Sequence, residues 1–213
     1  AYIEIEKLGS LIGKQDQYAA SFGGLNVFVF ERDRVEVLPL ALDPDVRQRL
    51  ESHLLLFYMG VSRSANGILA EQRRSMSNGD GAVLDALHTI KALAGEARRA
   101  LEEGLLRRFG EILHESWEAK RRLARGVTNE RIDHLYRRAR ESGAVGGKIA
   151  GAGGGGFLLL CCEPAQRDVV RAAMQAEGLH HMPFRFDSGG AKVLFNSAMR
   201  GGLAAWDGLA KAA

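Results

Sequence analysis

Residues 147–156 read Gly-Lys-Ile-Ala-Gly-Ala-Gly-Gly-Gly-Gly, and no other stretch restricts the fold as tightly. Both flanks carry the marks of order. Upstream, Thr128 is the expected cap of a helix through Ile132, Leu135 and Ala139 that stops at Gly143. Downstream, Phe157-Leu158-Leu159-Leu160-Cys161-Cys162 is a short apolar run closed by Pro164, the signature of a buried strand. The expected order is helix, loop, strand, with the loop pinned at both ends. Successive glycines let several backbone N–H groups face one concave side without Cβ obstruction, which makes an anion nest. Gly151, Ala152, Gly153, Gly154 and Gly155 are therefore candidates to hold a phosphate. A flexible hinge is the alternative, although such linkers usually mix glycine with serine and other polar residues.

Three familiar glycine motifs do not fit. Gly151 to Gly156 satisfies G-x-G-x-x-G, but the dinucleotide fingerprint needs a strand before it and a helix after it. Gly147-Lys148 is followed by Ile149 rather than Ser or Thr, and Ser142 stands where a P-loop has its first glycine. No H-R-D or D-F-G pair accompanies the loop, which excludes a protein kinase.

At 213 residues the chain is long enough for one large or two small domains with real cores. A hydrophobic share of 46% beside 26% charged residues describes a globular chain. The net charge of +3 is mild, and Arg121-Arg122 and Arg137-Arg138 sit among acidic residues on helix-like segments. That pattern is a solvated face, so no nucleic-acid partner is expected. No apolar run approaches the roughly 20 residues of a membrane helix. Cys161 and Cys162 are neighbours on an expected strand and so point to opposite faces, which disfavours a shared metal or a local disulfide. A reduced, cytoplasmic setting is expected. The sequence opens directly on Ala1-Tyr2-Ile3-Glu4 without Met, so a fragment of a longer protein is expected.

Along the chain, Glu4 to Leu11 reads as the end of a helix, and residues 13–24 form a polar, turn-rich stretch. Leu25 to Phe30 and Arg34 to Leu40 are strands joined closely enough for a hairpin. Asp43-Pro44 caps a short helix to about Ser52. Leu54 to Met59 is another strand, followed by a helix that Ser64 caps and by apolar stripes from Val83 to Leu101 and Leu105 to Trp117. Pro164 opens a helix closed by Gly178. Strands are then expected at Met182 to Phe186 and Ala191 to Phe195, ahead of a helical tail. His180-His181 lacks a third ligand at metal-site spacing and receives no role. The fold class is α+β, with a ferredoxin-like split β-α-β sandwich over residues 49–196. Residues 1–48 are expected to be the trailing part of a preceding α+β domain, and residues 197–213 a tail.

Three segments together carry a resemblance. They are Gly13-Lys14-Gln15-Asp16-Gln17-Tyr18 with Phe22-Gly23-Gly24, then residues 58–65 reading Tyr-Met-Gly-Val-Ser-Arg-Ser-Ala, then the glycine loop. In this order the chain resembles the GHMP small-molecule kinases, named for galacto-, homoserine, mevalonate and phosphomevalonate kinases. Within them it is most similar to the D-glycero-D-manno-heptose 7-phosphate kinases. The loop resembles the family's third signature, K-x-S/T-G-A-G-x-G-G, with Ala150 where Ser or Thr is usual.

The resemblance implies ATP and Mg²⁺ as cofactors and a small-molecule sugar phosphate as acceptor. It implies Asp16 as the catalytic carboxylate, matching a G-x-x-D-Q context in which galactokinases act on a sugar hydroxyl. Such a carboxylate can position the acceptor oxygen and take its proton. It implies Glu4, twelve residues before Asp16, as the carboxylate near magnesium. Lys14, Gln15, Gln17, Gly24 and Arg63 become substrate-binding candidates, with Arg63 able to fork onto a phosphate. The family's second signature, P-x-x-x-G-L-G-S-S-A, does not occur in these residues. The chain thus reads as a C-terminal portion, partnered by a missing N-terminal portion and expected to be inactive alone. A homo-oligomer is left open. Two other readings also stay open: a free-sugar kinase of the fucose or galactose type, and a non-catalytic relative that binds a sugar or partner.

Overall fold

The computed structural model describes residues 1–60 and 65–192. The chain opens with a π-helical turn, Ile3–Lys7, in place of the longer helix expected over Glu4 to Leu11, and none of its residues is buried. Next come α1 (Gln15–Phe22) and the hairpin β1 (Asn26–Phe30) and β2 (Val35–Pro39). The antiparallel register pairs Asn26 with Pro39 and Phe30 with Val35. Tyr18 meets Phe28 and Phe30 edge-on, and Phe22 meets Phe28, at centroid distances of 6.1, 5.7 and 6.4 Å. These aromatic edges hold α1 on the hairpin.

Helix α2 (Pro44–His53) starts as the sequence indicates, with Asp43 Oδ1 accepting the Asp45 N–H at 2.8 Å and Pro44 in the first turn. It runs directly into β3 (Leu54–Tyr58), so the division expected between residues 48 and 49 falls inside a helix. Helices α3 (Ala65–Ser77), α4 (Gly81–Glu102) and α5 (Leu106–Lys120) follow. The expected cap Ser64 lies outside the described residues. Helix α6 (Glu130–Glu141) is capped by Asn129 rather than Thr128: Asn129 Oδ1 accepts the Ile132 N–H at 3.0 Å, while Thr128 Oγ1 donates to Asp133 Oδ1 at 2.6 Å.

The main correction concerns the glycine-rich stretch. A strand, β4 (Ala144–Ile149), precedes the loop and pairs antiparallel with β5 (Phe157–Cys162), so the loop is the turn of a hairpin. Gly146 and Gly147 belong to β4 for a steric reason. A Cβ on Gly146 would stand 1.9 Å from the Gly110 carbonyl oxygen on α5, so helix and strand touch backbone to backbone. A register shift between Ala144 and Gly146 bends the strand onto the helix.

After β5, a 3-10 turn at Pro164–Gln166 leads into α7 (Arg167–Ala176) and then β6 (His180–His181). The sheet order is β4-β5-β3-β6 with every pair antiparallel. That is the split β-α-β order, and the α+β class stands. The strand expected at Met182 to Phe186 is absent. The ladder covers His180–His181, the Met182 N–H still reaches the Leu56 carbonyl at 2.8 Å, and Pro183 has no N–H with which to continue. Ala191 and Lys192 are not in a strand either. Residues 193–195, and the expected tail at 197–213, lie outside the described residues.

Strand alternation builds two cores. Leu55 and Phe57 face Leu160 and Leu158 and pack with Ile132, Leu135, Val170 and Met174 from α6 and α7. Leu54 and Cys161 point the other way, toward Leu50, Leu101 and Leu106. Full burial of each large apolar side chain contributes about 1.5–3 kcal/mol. Among the described residues, no helix is long and apolar enough to cross a membrane.

The two cysteines fall in opposite cores as expected, both with free thiols. Burial pushes the Cys161 thiol up to about 12 and the Cys162 thiol up to about 11. A buried thiol that stays protonated is a poor nucleophile. Neither cysteine is therefore expected to react with a disulfide reagent at pH 8 until denaturant is added. Rapid labelling of the native chain would contradict this packing.

Candidate functional site

Asp16 stands exposed in the first turn of α1, where the positive end of the helix favours a carboxylate. Its neighbour Gln17 is braced. The Gln17 Nε2 group donates to Glu4 Oε2, tying α1 to the π-helical turn, and Ser21 Oγ donates to the Gln17 carbonyl at 2.7 Å. Gln17 Oε1 is buried without a hydrogen-bond partner. A buried acceptor left unpaired costs about 1–3 kcal/mol, so this oxygen is a place where a donor would be gained. Lys14 and Gln15 sit exposed at the start of the same helix. Glu4, Lys14, Gln15, Asp16 and Gln17, chosen from sequence, are thus gathered at one end of α1.

Gly24 lies at the other end, and its N–H donates to the Asp187 carbonyl at 2.7 Å. Beside it a Cβ on Gly23 would be 2.1 Å from the Gly190 amide nitrogen, and the Ala191 N–H reaches the Ser21 carbonyl at 3.0 Å. The Asp187–Lys192 segment therefore returns from the sheet to close against α1. This neighbourhood escapes the sequence reading; the doubled glycines at 23–24 and 189–190 are its only local sign. Arg63 lies outside the described residues.

The glycine loop forms a second cluster. No hydrogen bond or ion pair among the described residues links it to Glu4 or α1. Its base is closed by the Ala150 N–H to the Phe157 carbonyl at 2.9 Å and the Met59 N–H to the Gly156 carbonyl at 3.0 Å. Gly153 has φ of 108°, and a Cβ there would stand 2.7 Å from the Val127 carbonyl oxygen, so only glycine fits. The Gly154 N–H donates to that carbonyl at 2.8 Å. One amide of the expected nest is therefore spent inward, seating the loop on the 3-10 turn Arg125–Val127.

Lys120, the last residue of α5, is a positioning residue that the sequence reading missed. Its Nζ donates to the Ile149 carbonyl at 3.2 Å and to the Gly151 carbonyl, clamping the loop entrance. Burial, helped by the charge of Lys148, pushes its ammonium down to about 8. Burial also lowers Lys148. Two partly desolvated cations at the root of a glycine turn favour an anion above it.

Among the described residues, no group of three or more His, Cys, Asp or Glu forms a self-sufficient metal site. Magnesium bound with substrate phosphates needs only one or two protein carboxylates. Glu4, exposed and with one oxygen outside its bond to Gln17, fits that limited role.

The fold and the sequence have relatives among known proteins. Residues 97–180 match the family described as GHMP kinases C terminal. The chain is 34% identical over 191 residues to D-glycero-alpha-D-manno-heptose 7-phosphate kinase of Campylobacter jejuni, covering 89% of this chain and 56% of that enzyme. It is 30% identical over 167 residues to L-fucokinase/L-fucose-1-P guanylyltransferase of Bacteroides fragilis, covering 74% of this chain and 17% of that protein. A crystal structure of a D-glycero-D-manno-heptose 1-phosphate kinase from Bacteroides thetaiotaomicron superposes with a TM-score of 0.65 at 31% identity, covering 91% of this chain and 53% of that one. The chain thus spans about half the length of the heptose-phosphate kinases it matches. With the sheet order, the glycine hairpin and these matches in hand, the chain carries, over residues 97–180, the match to the C-terminal domain of the GHMP kinases.

Proposed function

We propose that the chain supplies the acceptor site and the glycine loop of an ATP-dependent kinase that phosphorylates a hydroxyl of a sugar phosphate, of the heptose 7-phosphate kind. The observation that carries this reading is the brace on Gln17: one end is fixed on Glu4, the other end leaves an unpaired acceptor, and Asp16 is next in line. Asp16 orients the acceptor hydroxyl and takes its proton as the oxygen attacks the γ-phosphorus, and the bond to the β-phosphate oxygen breaks. Gln17, with Lys14, Gln15 and Gly24, holds the sugar. Glu4 is the carboxylate that would hold magnesium, which supplies charge neutralisation between the phosphates when bound. Gly151, Ala152, Gly153, Gly154 and Gly155 are assigned to the ATP phosphates, backed by Lys120 and Lys148. A cytoplasmic location suits both the free thiols and a phosphorylated substrate.

The similarity to a fucokinase keeps the free-sugar alternative in view. Arg63 separates the two, because a guanidinium fork suits a phosphosugar better than a neutral sugar. In the complete enzyme, Arg63→Ala is expected to raise KM for heptose 7-phosphate about tenfold or more, the loss of a charged hydrogen-bonding partner. Steady-state kinetics with heptose 7-phosphate, fucose and galactose checks both points. A parent enzyme that prefers unphosphorylated fucose or galactose would replace the phosphosugar reading with the free-sugar one.

A further inference from the structure

A cavity of about 500 Å³ lies away from Asp16, where α3, the start of α4 and residues 121–125 meet. That volume is in the range of small-molecule sites. Arg74, Arg121, Arg122 and Arg125 line it, together with two carboxylates, Glu71 and Asp80. Both carboxylates are engaged with backbone amides. Asp80 Oδ1 accepts the Ala82 and Val83 N–H groups at 3.1 and 3.4 Å, and Glu71 Oε1 accepts the Arg125 N–H at 3.2 Å. Arg121 is held by Glu118 and Asp133 at 3.1 and 3.0 Å. Among the described residues, Arg74, Arg122 and Arg125 form no ion pair. Three guanidinium forks from two parts of the chain therefore surround one depression with no carboxylate paired to them.

We propose that this cavity is a second anion site, taking the phosphate groups of a phosphorylated small molecule. A phosphate offers several oxygens to planar forks and more than one negative charge, which a single carboxylate does not. The position adds a reason for the choice. Arg125 opens the 3-10 turn whose other end, Val127, seats the glycine loop through Gly154. The cavity and the loop thus share one turn of backbone.

The probe is inorganic pyrophosphate, titrated calorimetrically into residues 1–213. Arg122→Ala with Arg125→Ala removes two exposed forks, and Arg32→Ala with Arg137→Ala removes the same charge from exposed positions elsewhere. Pyrophosphate affinity is expected to fall about tenfold or more in the first pair and to stay within about twofold in the second. If the first pair unfolds, Arg122→Lys with Arg125→Lys keeps the charge, loses the fork, and is expected to bind several-fold more weakly. Equal weakening in both pairs, or none in either, would reduce the cluster to net charge and overturn the proposal. ATP and a sugar phosphate titrated into the same variants identify the source: selective loss for either one supports the site, and loss for neither overturns it. No turnover is read, so the outcome is independent of whether Asp16 is catalytic.

Discussion

Asp16→Asn in the complete enzyme is expected to lower turnover about a hundredfold or more while leaving ATP affinity near normal. The reason is local. The substitution keeps the shape of the side chain and leaves the Gln17–Glu4 bond untouched, but it removes the group proposed to take the acceptor's proton. The Asp16 side chain is exposed and makes no hydrogen bond or ion pair among the described residues, so the change is not expected to disturb folding. Thermal midpoints of parent and variant should agree within about 2 °C, a shift that corresponds to less than about 1 kcal/mol in a chain of this size. Steady-state kinetics decides the matter. Turnover within a factor of about three of the parent would make Asp16 a turn residue and remove the mechanism.

The largest effect on stability is expected from Gly146→Ala. The added methyl would meet the Gly110 carbonyl oxygen at 1.9 Å and the His114 amide nitrogen at 3.0 Å, and both are backbone atoms of α5. A rotamer change cannot relieve this, so strand and helix must separate. Overpacking against side chains typically costs about 1–3 kcal/mol, and a backbone clash belongs at or above the top of that range. A fall in the thermal midpoint of roughly 6–12 °C follows. Gly95→Ala is the control, because a Cβ there meets nothing within 4 Å on α4. It is expected to be neutral or to stabilise by up to about 1 kcal/mol. Similar midpoints for the two variants would mean that β4 does not lie on α5 as described.

What the sequence reveals depends on how local the cause is. The hairpin β1–β2, the Asp43-Pro44 helix start and the opposed faces of Cys161 and Cys162 each follow from neighbouring residues, and all appear in the structure. Strand β4 does not, because its glycines are required by Gly110, more than thirty residues away, and locally look like more loop. Strand β6 ends early because Pro183 interrupts pairing that apolar content alone would extend. Within the site, the family resemblance points to Glu4, Asp16 and Gln17, yet the hydrogen bond between Gln17 and Glu4 is a tertiary fact. Lys120 was invisible for the same reason. Its partners are carbonyl oxygens at Ile149 and Gly151, and a carbonyl leaves no trace in the residue type.

We propose that these residues place an acceptor carboxylate and one glycine turn, without the second phosphate-wrapping signature of the family. Phosphoryl transfer is almost wholly positioning and charge stabilisation, so a donor held by one turn alone is left unplaced. The structure sharpens the point, since the Gly154 amide is already bonded to Val127 and the loop leads into a strand rather than a helix N-terminus. Calorimetry of residues 1–213 with Mg-ATP, run beside a coupled assay for ADP release with heptose 7-phosphate, measures this directly. The predicted result is roughly millimolar affinity, about 4 kcal/mol, and no sugar-dependent ADP release. Micromolar binding, or ADP release that depends on the sugar, would show a complete donor site within these residues and contradict the account.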